Sequence, residues 1–119
     1  MRRAAAALLA STGVLHLALA PEYWDEQHYV GALFVVGGIA CAVIAARLWS
    51  RDDTAAWAVG SVAAAGMAVG FVLSRTVGLP GFHEAEWEAS GLLSLLLEAG
   101  FVALAVRAVS VRREVPARR

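Results

Sequence analysis

Lysine is missing from this 119-residue chain, cysteine occurs once, and charge is scarce wherever apolar residues run long. Without lysine, arginine alone reports where positive charge is placed. The single Cys41 excludes an internal disulfide, and no CxxC or paired Cys/His spacing offers a structural zinc site. Basic residues interleaved with aromatics are also missing, so no nucleic-acid partner is expected. Within these residues there is no long linker and no stretch that composes a soluble domain.

What is present is apolar: 60% of residues, against 17% charged, with a mean hydropathy of +0.65. A soluble domain of this size exposes too much of its surface to hide that content. The charges sit at the ends of four apolar stretches, Ala4–Ala20, Tyr29–Trp49, Ala55–Ser74 and Ser90–Ser110. Each is close to the ~20 residues that cross ~30 Å of hydrocarbon at 1.5 Å per residue. Lipid offers no partner to a free backbone N–H, so each must be helical. The short links between them favour up-down-up-down packing. The expected fold is all-α, an integral membrane antiparallel four-helix bundle forming one domain over residues 1–119.

Arg2 and Arg3, the apolar run and Ala-Leu-Ala before Pro21 resemble a secretory signal peptide. Proline after the scissile bond and His16 within the run argue instead for a retained first span. Orientation follows from arginine. Arg2, Arg3, Arg47, Arg51, Arg107, Arg112, Arg113, Arg118 and Arg119 fall on one side, which positive-inside makes cytoplasmic. Both termini are then cytoplasmic, and the basic tail lies against anionic lipid. Glu22, Asp25, Glu26, Glu84, Glu86 and Glu88 face out, with Tyr23, Trp24, Tyr29 and Trp87 as an aromatic belt. Trp49 and Trp57 mark the inner interface. Asp52 and Asp53 are placed to cap the third span. Pro21 and Gly78–Gly81 read as helix breaks, and the Glu84/Glu88 spacing as a short interfacial helix.

Small residues recur every fourth position: Gly38, Ala42 and Ala46 on the second span, Gly66 and Gly70 on the third. Such faces let backbones approach, within one bundle or across a homodimer. Cys41 reads as a packing residue among them.

Two ionisable residues lie inside spans, His16 and Glu98, where a charge is costly and needs a partner. His16 lies about 6 Å and Glu98 about 12 Å below the outer boundary at 1.5 Å per residue. Side chains lean toward their helix N-terminus, so the two tips converge. Arg75, the one arginine on the acidic side, leans back into the membrane and is expected to pair with Glu98. Thr12 and Ser94 share the faces of His16 and Glu98. Together Thr12, His16, Arg75, Ser94 and Glu98 form a polar pocket in the outer half, either a ligand site or a strut that sets helix register. Glu22, Glu26, His28 and His83 at its mouth, with His16 and Glu98, make a donor set that suits zinc or copper(II).

At "HLALAPEYWDEQHYVGALFVVGGIA" and "LSRTVGLPG" the chain resembles uncharacterised small four-span membrane proteins of high-GC actinobacteria. These carry a His-x-x-Leu-Ala-Pro-Glu-like stretch after the first span and a Ser-Arg-Thr-x-Gly-Leu-Pro-like stretch after the third, here His16–Glu22 and Ser74–Pro80. The resemblance covers all four spans and implies the architecture and a multi-pass place in a bacterial plasma membrane; it implies no activity. Three functions fit. The first is an outward pocket for a cation, a transition metal or a proton-coupled ligand. The second is an accessory or assembly subunit of a membrane complex, with the Arg75–Glu98 pair purely structural. The third is an intramembrane enzyme component acting on a lipid or isoprenoid, which needs an apolar cavity beside His16 and Glu98.

Overall fold

The computed structural model describes residues 1–114, with side chains as far as Val111. Arg118 and Arg119 of the basic tail lie outside the described residues. Four helices follow one another: α1 Arg2–Glu26, α2 His28–Ser50, α3 Thr54–Arg75 and α4 Ala89–Glu114. All four are long and apolar enough to cross a membrane. Among the described residues there is no strand, only an isolated bridge between Leu79 and Phe82.

The expected break at Pro21 does not occur. Proline lacks an N–H and crowds the carbonyl four residues back, yet membrane helices tolerate it where neighbours satisfy the freed group. α1 therefore runs through Pro21 to Glu26, and Gln27 alone links it to α2. The buried stripe Leu9, Thr12, Gly13, His16 and Ala20 continues to Tyr23 at the three- and four-residue spacing of one helix face. Tyr23 is thus 3% exposed, inside the fold, and not in the aromatic belt.

α1 and α2 pack tightly. A Cβ on Gly13 would stand 2.8 Å from the Gly38 carbonyl oxygen, and one on Gly38 would stand 2.9 Å from that of Gly13. Gly38 therefore serves contact within the chain. Arg2 reaches the Leu48 carbonyl at 3.3 Å, and Arg3 lies over the Trp49 ring at 5.0 Å. The start of α1 so meets the end of α2. α3 and α4 join the core through Ala56, Trp57, Ala64, Phe101 and Ala105 against Ala5, Leu9, Cys41 and Leu48. Trp57, expected at the inner interface, is 2% exposed: its ring stacks on Phe101 and its Nε1–H donates to Asp52 at 2.9 Å. Val36, Val62 and Leu96 are among large apolar side chains that point outward on the helices, the surface a bilayer would cover.

The 76–88 segment folds over one end of the helices. Leu79 and Phe82 exchange backbone hydrogen bonds around Pro80 and Gly81, and Gly81 takes φ +65. Proline then glycine at the centre, with positive φ at the glycine, carries the signature of a type II turn. Gln27 donates to the Gly81 carbonyl at 3.2 Å and Tyr29 to that of Pro80, which ties this turn to the α1–α2 hinge. The short helix expected from Glu84 to Glu88 is not formed. Its backbone is used otherwise: Glu84 N–H donates to the Ser74 carbonyl at 2.9 Å, and the Glu86 carbonyl accepts from Arg75.

At the opposite end Asp53 caps α3, its carboxylate accepting from the Ala55 N–H at 2.9 Å and pairing with Arg47. The Arg47 guanidinium beside it holds the Asp53 carboxyl below its usual range. A depressed carboxyl contributes stability above its ordinary value of about 3.9, and loses it as pH falls through the lower folded value. Detergent-solubilised protein should therefore melt above Asp53→Asn at neutral pH, with the gap closing as pH falls through the lowered folded value. A gap of unchanged size in acid would contradict this pairing.

Candidate functional site

All five residues expected in the polar pocket are buried, but they fall into two layers. The deeper one holds Thr12, His16, Ser94 and Glu98. Thr12 and His16 stand one turn apart on α1, Ser94 and Glu98 one turn apart on α4, so each pair shares a face. The His16 Nδ1 lies 2.9 Å from the Thr12 carbonyl oxygen. A carbonyl only accepts, so Nδ1 carries the hydrogen and Nε2 of the neutral ring is free to accept. Ser94 donates to Glu98 Oε2 at 2.8 Å. His16 Nε2 is 3.9 Å from the same oxygen, too far to hydrogen-bond. Glu98 is 1% exposed and its Oε1 has no hydrogen-bond partner.

The outer layer belongs to Arg75, and the expected Arg75–Glu98 pair is not formed. Arg75 Nη1 donates to Ser74 Oγ at 2.7 Å, Nη2 to the Tyr23 hydroxyl at 2.9 Å and to Glu88 at 3.4 Å, and Nε to the Glu86 carbonyl at 3.2 Å. Its carbon lies 4.2 Å from the centre of the Phe71 ring. The guanidinium is thus satisfied by groups at its own level. The physical reason is the continuation of α1 past Pro21, which brings Tyr23 to the end of α3, while the extended 83–88 backbone returns across it. Tyr23 also stacks on Phe34 at 4.4 Å and meets the edge of Phe82 at 5.7 Å. Sequence reasoning missed Tyr23, Ser74 and Glu88 as Arg75 partners. The signal for Tyr23 was there, seven residues after His16 on the same face.

Between the layers lies a cavity of about 350 Å³, within the ~300–1,000 Å³ of small-molecule sites. His16 and Ser94 line its deeper wall, Tyr23, Ser74 and Arg75 its outer wall, and Phe34, Met67 and Phe71 its apolar body. Gly66 and Gly70 also line it, and a Cβ on either would meet nothing within 4 Å. That glycine spacing on α3 therefore makes open space where helix contact was one expectation. Leu33, Val36 and Val62, more than half exposed, stand at its edge between α2 and α3.

The zinc or copper donor set is not assembled: among the described residues no three His, Cys, Asp or Glu side chains come together as a metal site. His83 Nε2 is held by the Thr76 carbonyl at 3.0 Å, His28 stacks on Trp24 at 4.5 Å, and Glu22 is exposed. Glu26 stands beside Glu84 at the surface, away from His16 and Glu98 in the interior. Comparison of the chain with family models, curated proteins and solved structures finds no match.

The Arg75–Tyr23 contact is open to a double-mutant cycle in detergent. Tyr23→Phe leaves a buried guanidinium N–H without its acceptor and should cost about 1.5–3 kcal/mol. In an Arg75→Met background the same change should cost well under half of that. Equal costs in both backgrounds would show that the hydroxyl does not serve Arg75.

Proposed function

We propose that this chain is a small multi-pass protein of a bacterial plasma membrane that binds a lipid-soluble small molecule in the outer half of its helices. In this reading the four spans run antiparallel, the termini are cytoplasmic and the acidic loops are extracytoplasmic. The arginine distribution supports that orientation, since Arg2, Arg3, Arg47 and Arg51 gather at the end opposite Glu84, Glu86 and Glu88.

The observation that carries the binding reading is the cavity itself. Its body is apolar and aromatic, its polar groups are few and confined to two walls, and its edge lies between two lipid-facing helices. A ligand held there has an apolar body and one polar end. A purely structural strut needs no such space, because a core normally packs with few voids larger than a water molecule. The separation of Arg75 from Glu98 also leaves Glu98 Oε1, behind the deeper wall, without a hydrogen-bond partner.

Filling the cavity tests the reading. Gly70→Leu adds a side chain into open space on a helix, where leucine is a better helix former than glycine. The variant should keep its helical content and melting temperature. N-phenyl-1-naphthylamine, a neutral hydrophobic probe, should show saturable emission with the native chain above that of protein-free micelles, and lose it in the variant. No saturable component with the native chain, or one untouched by Gly70→Leu, would remove this cavity as a binding site.

A further inference from the structure

The polar end of that ligand is constrained by the deeper wall. Every group there that is not already engaged is an acceptor. His16 Nε2 keeps a lone pair, and the Ser94 hydroxyl has given its hydrogen to Glu98 and can only accept further. Behind them stands a carboxylate with one oxygen hydrogen-bonded once and the other not at all. Its nearest cationic side chain on the outer side, Arg75, is spent on Ser74, Tyr23, Glu86 and Glu88. A buried carboxyl ionises only at a cost when it has no counter-charge, and a ligand that brings one relieves that cost.

The approach to the cavity has the same sign. Glu22, Asp25, Glu26, Glu84, Glu86 and Glu88 stand around the outer end of the fold, and the arginine there is already paired with Glu88. Such a rim raises the local concentration of cations and repels anions. Phe34, Tyr23 and Phe71 line the cavity body, an apolar surface that suits the hydrocarbon substituents of a ligand.

We infer that the cavity takes a lipophilic organic cation, an amine whose ammonium donates to His16 Nε2 and Ser94 Oγ with Glu98 as counter-charge. The inference rests on the binding reading above and names its ligand class. The observation behind it is the buried Glu98, its Oε1 without a hydrogen-bond partner, next to the two polar residues of the deeper wall. An apolar substituent then fills the space along Gly66 and Gly70.

Three probes of matched size separate charge from shape: 4-phenylbutylamine, 4-phenylbutanol and 4-phenylbutanoate, titrated calorimetrically into the purified full chain in neutral detergent. The amine should bind roughly tenfold tighter than the alcohol, the factor that a modest ion-pair gain gives. The carboxylate should show no binding. In Glu98→Gln the amine should fall to the affinity of the alcohol. The native chain alone already decides the matter, should that variant fail to fold. Alcohol binding as tight as the amine, or binding of the carboxylate, would overturn the cation while leaving the cavity as a site. Failure of the amine would overturn it as well, and continued binding of N-phenyl-1-naphthylamine would then show that the cavity reading had survived.

Discussion

The site is organised by one buried charge, the Arg75 guanidinium at the end of α3, whose side chain is 2% exposed. A charge held there must be met by hydrogen bonds and a counter-ion, because a buried unpaired ion is far costlier than the pair. The fold answers with Tyr23 from α1, Ser74 from its own helix, and the Glu86 carbonyl and Glu88 from the returning segment. Each answer has a structural consequence. Tyr23 arrives only because α1 continues through Pro21, and Glu86 and Glu88 only because 83–88 stays extended. The turn around Pro80 and Gly81 and its ties to Gln27 and Tyr29 close the same end.

Because Arg75 is satisfied at its own level, it does not descend to Glu98, and a cavity remains between the two layers. Glycine keeps that space open. Gly13 and Gly38 are consumed by the approach of α1 to α2, whereas Gly66 and Gly70 face emptiness. The same residue type thus does opposite things at the α1–α2 contact and on α3. What decides is the neighbour: a backbone carbonyl in one case, a gap between α2 and α3 in the other.

Much of this was legible in the sequence, for reasons that are local. Span length and the segregation of arginine from carboxylates depend only on hydrocarbon thickness and position, and four helices of adequate length and apolarity follow. The pairs Thr12–His16 and Ser94–Glu98 are fixed by helical repeat, and depth arithmetic brought His16 and Glu98 within reach, as their 3.9 Å separation reflects. Asp53 acts as the cap its position suggests. What sequence did not disclose is tertiary. Whether a proline breaks a membrane helix depends on what surrounds its freed carbonyl. The choice of Arg75 between Glu98 and Glu88 depended on a backbone that was expected to coil and instead runs extended. Trp57 and Tyr23 looked like interface aromatics because amphipathic rings suit both a headgroup and a buried hydrogen-bond partner.

The central claim is that the cavity between the Arg75 and Glu98 layers opens to lipid between α2 and α3. Photocrosslinking from a lipid with a diazirine in its acyl chain, followed by mapping of the labelled residues, tests it most directly. Labels on Phe34, Met67 and Phe71, which line the cavity, are the result expected, alongside those on the outer surface. Labels confined to outward residues such as Ile39, Val43, Val69 and Leu96 would contradict it.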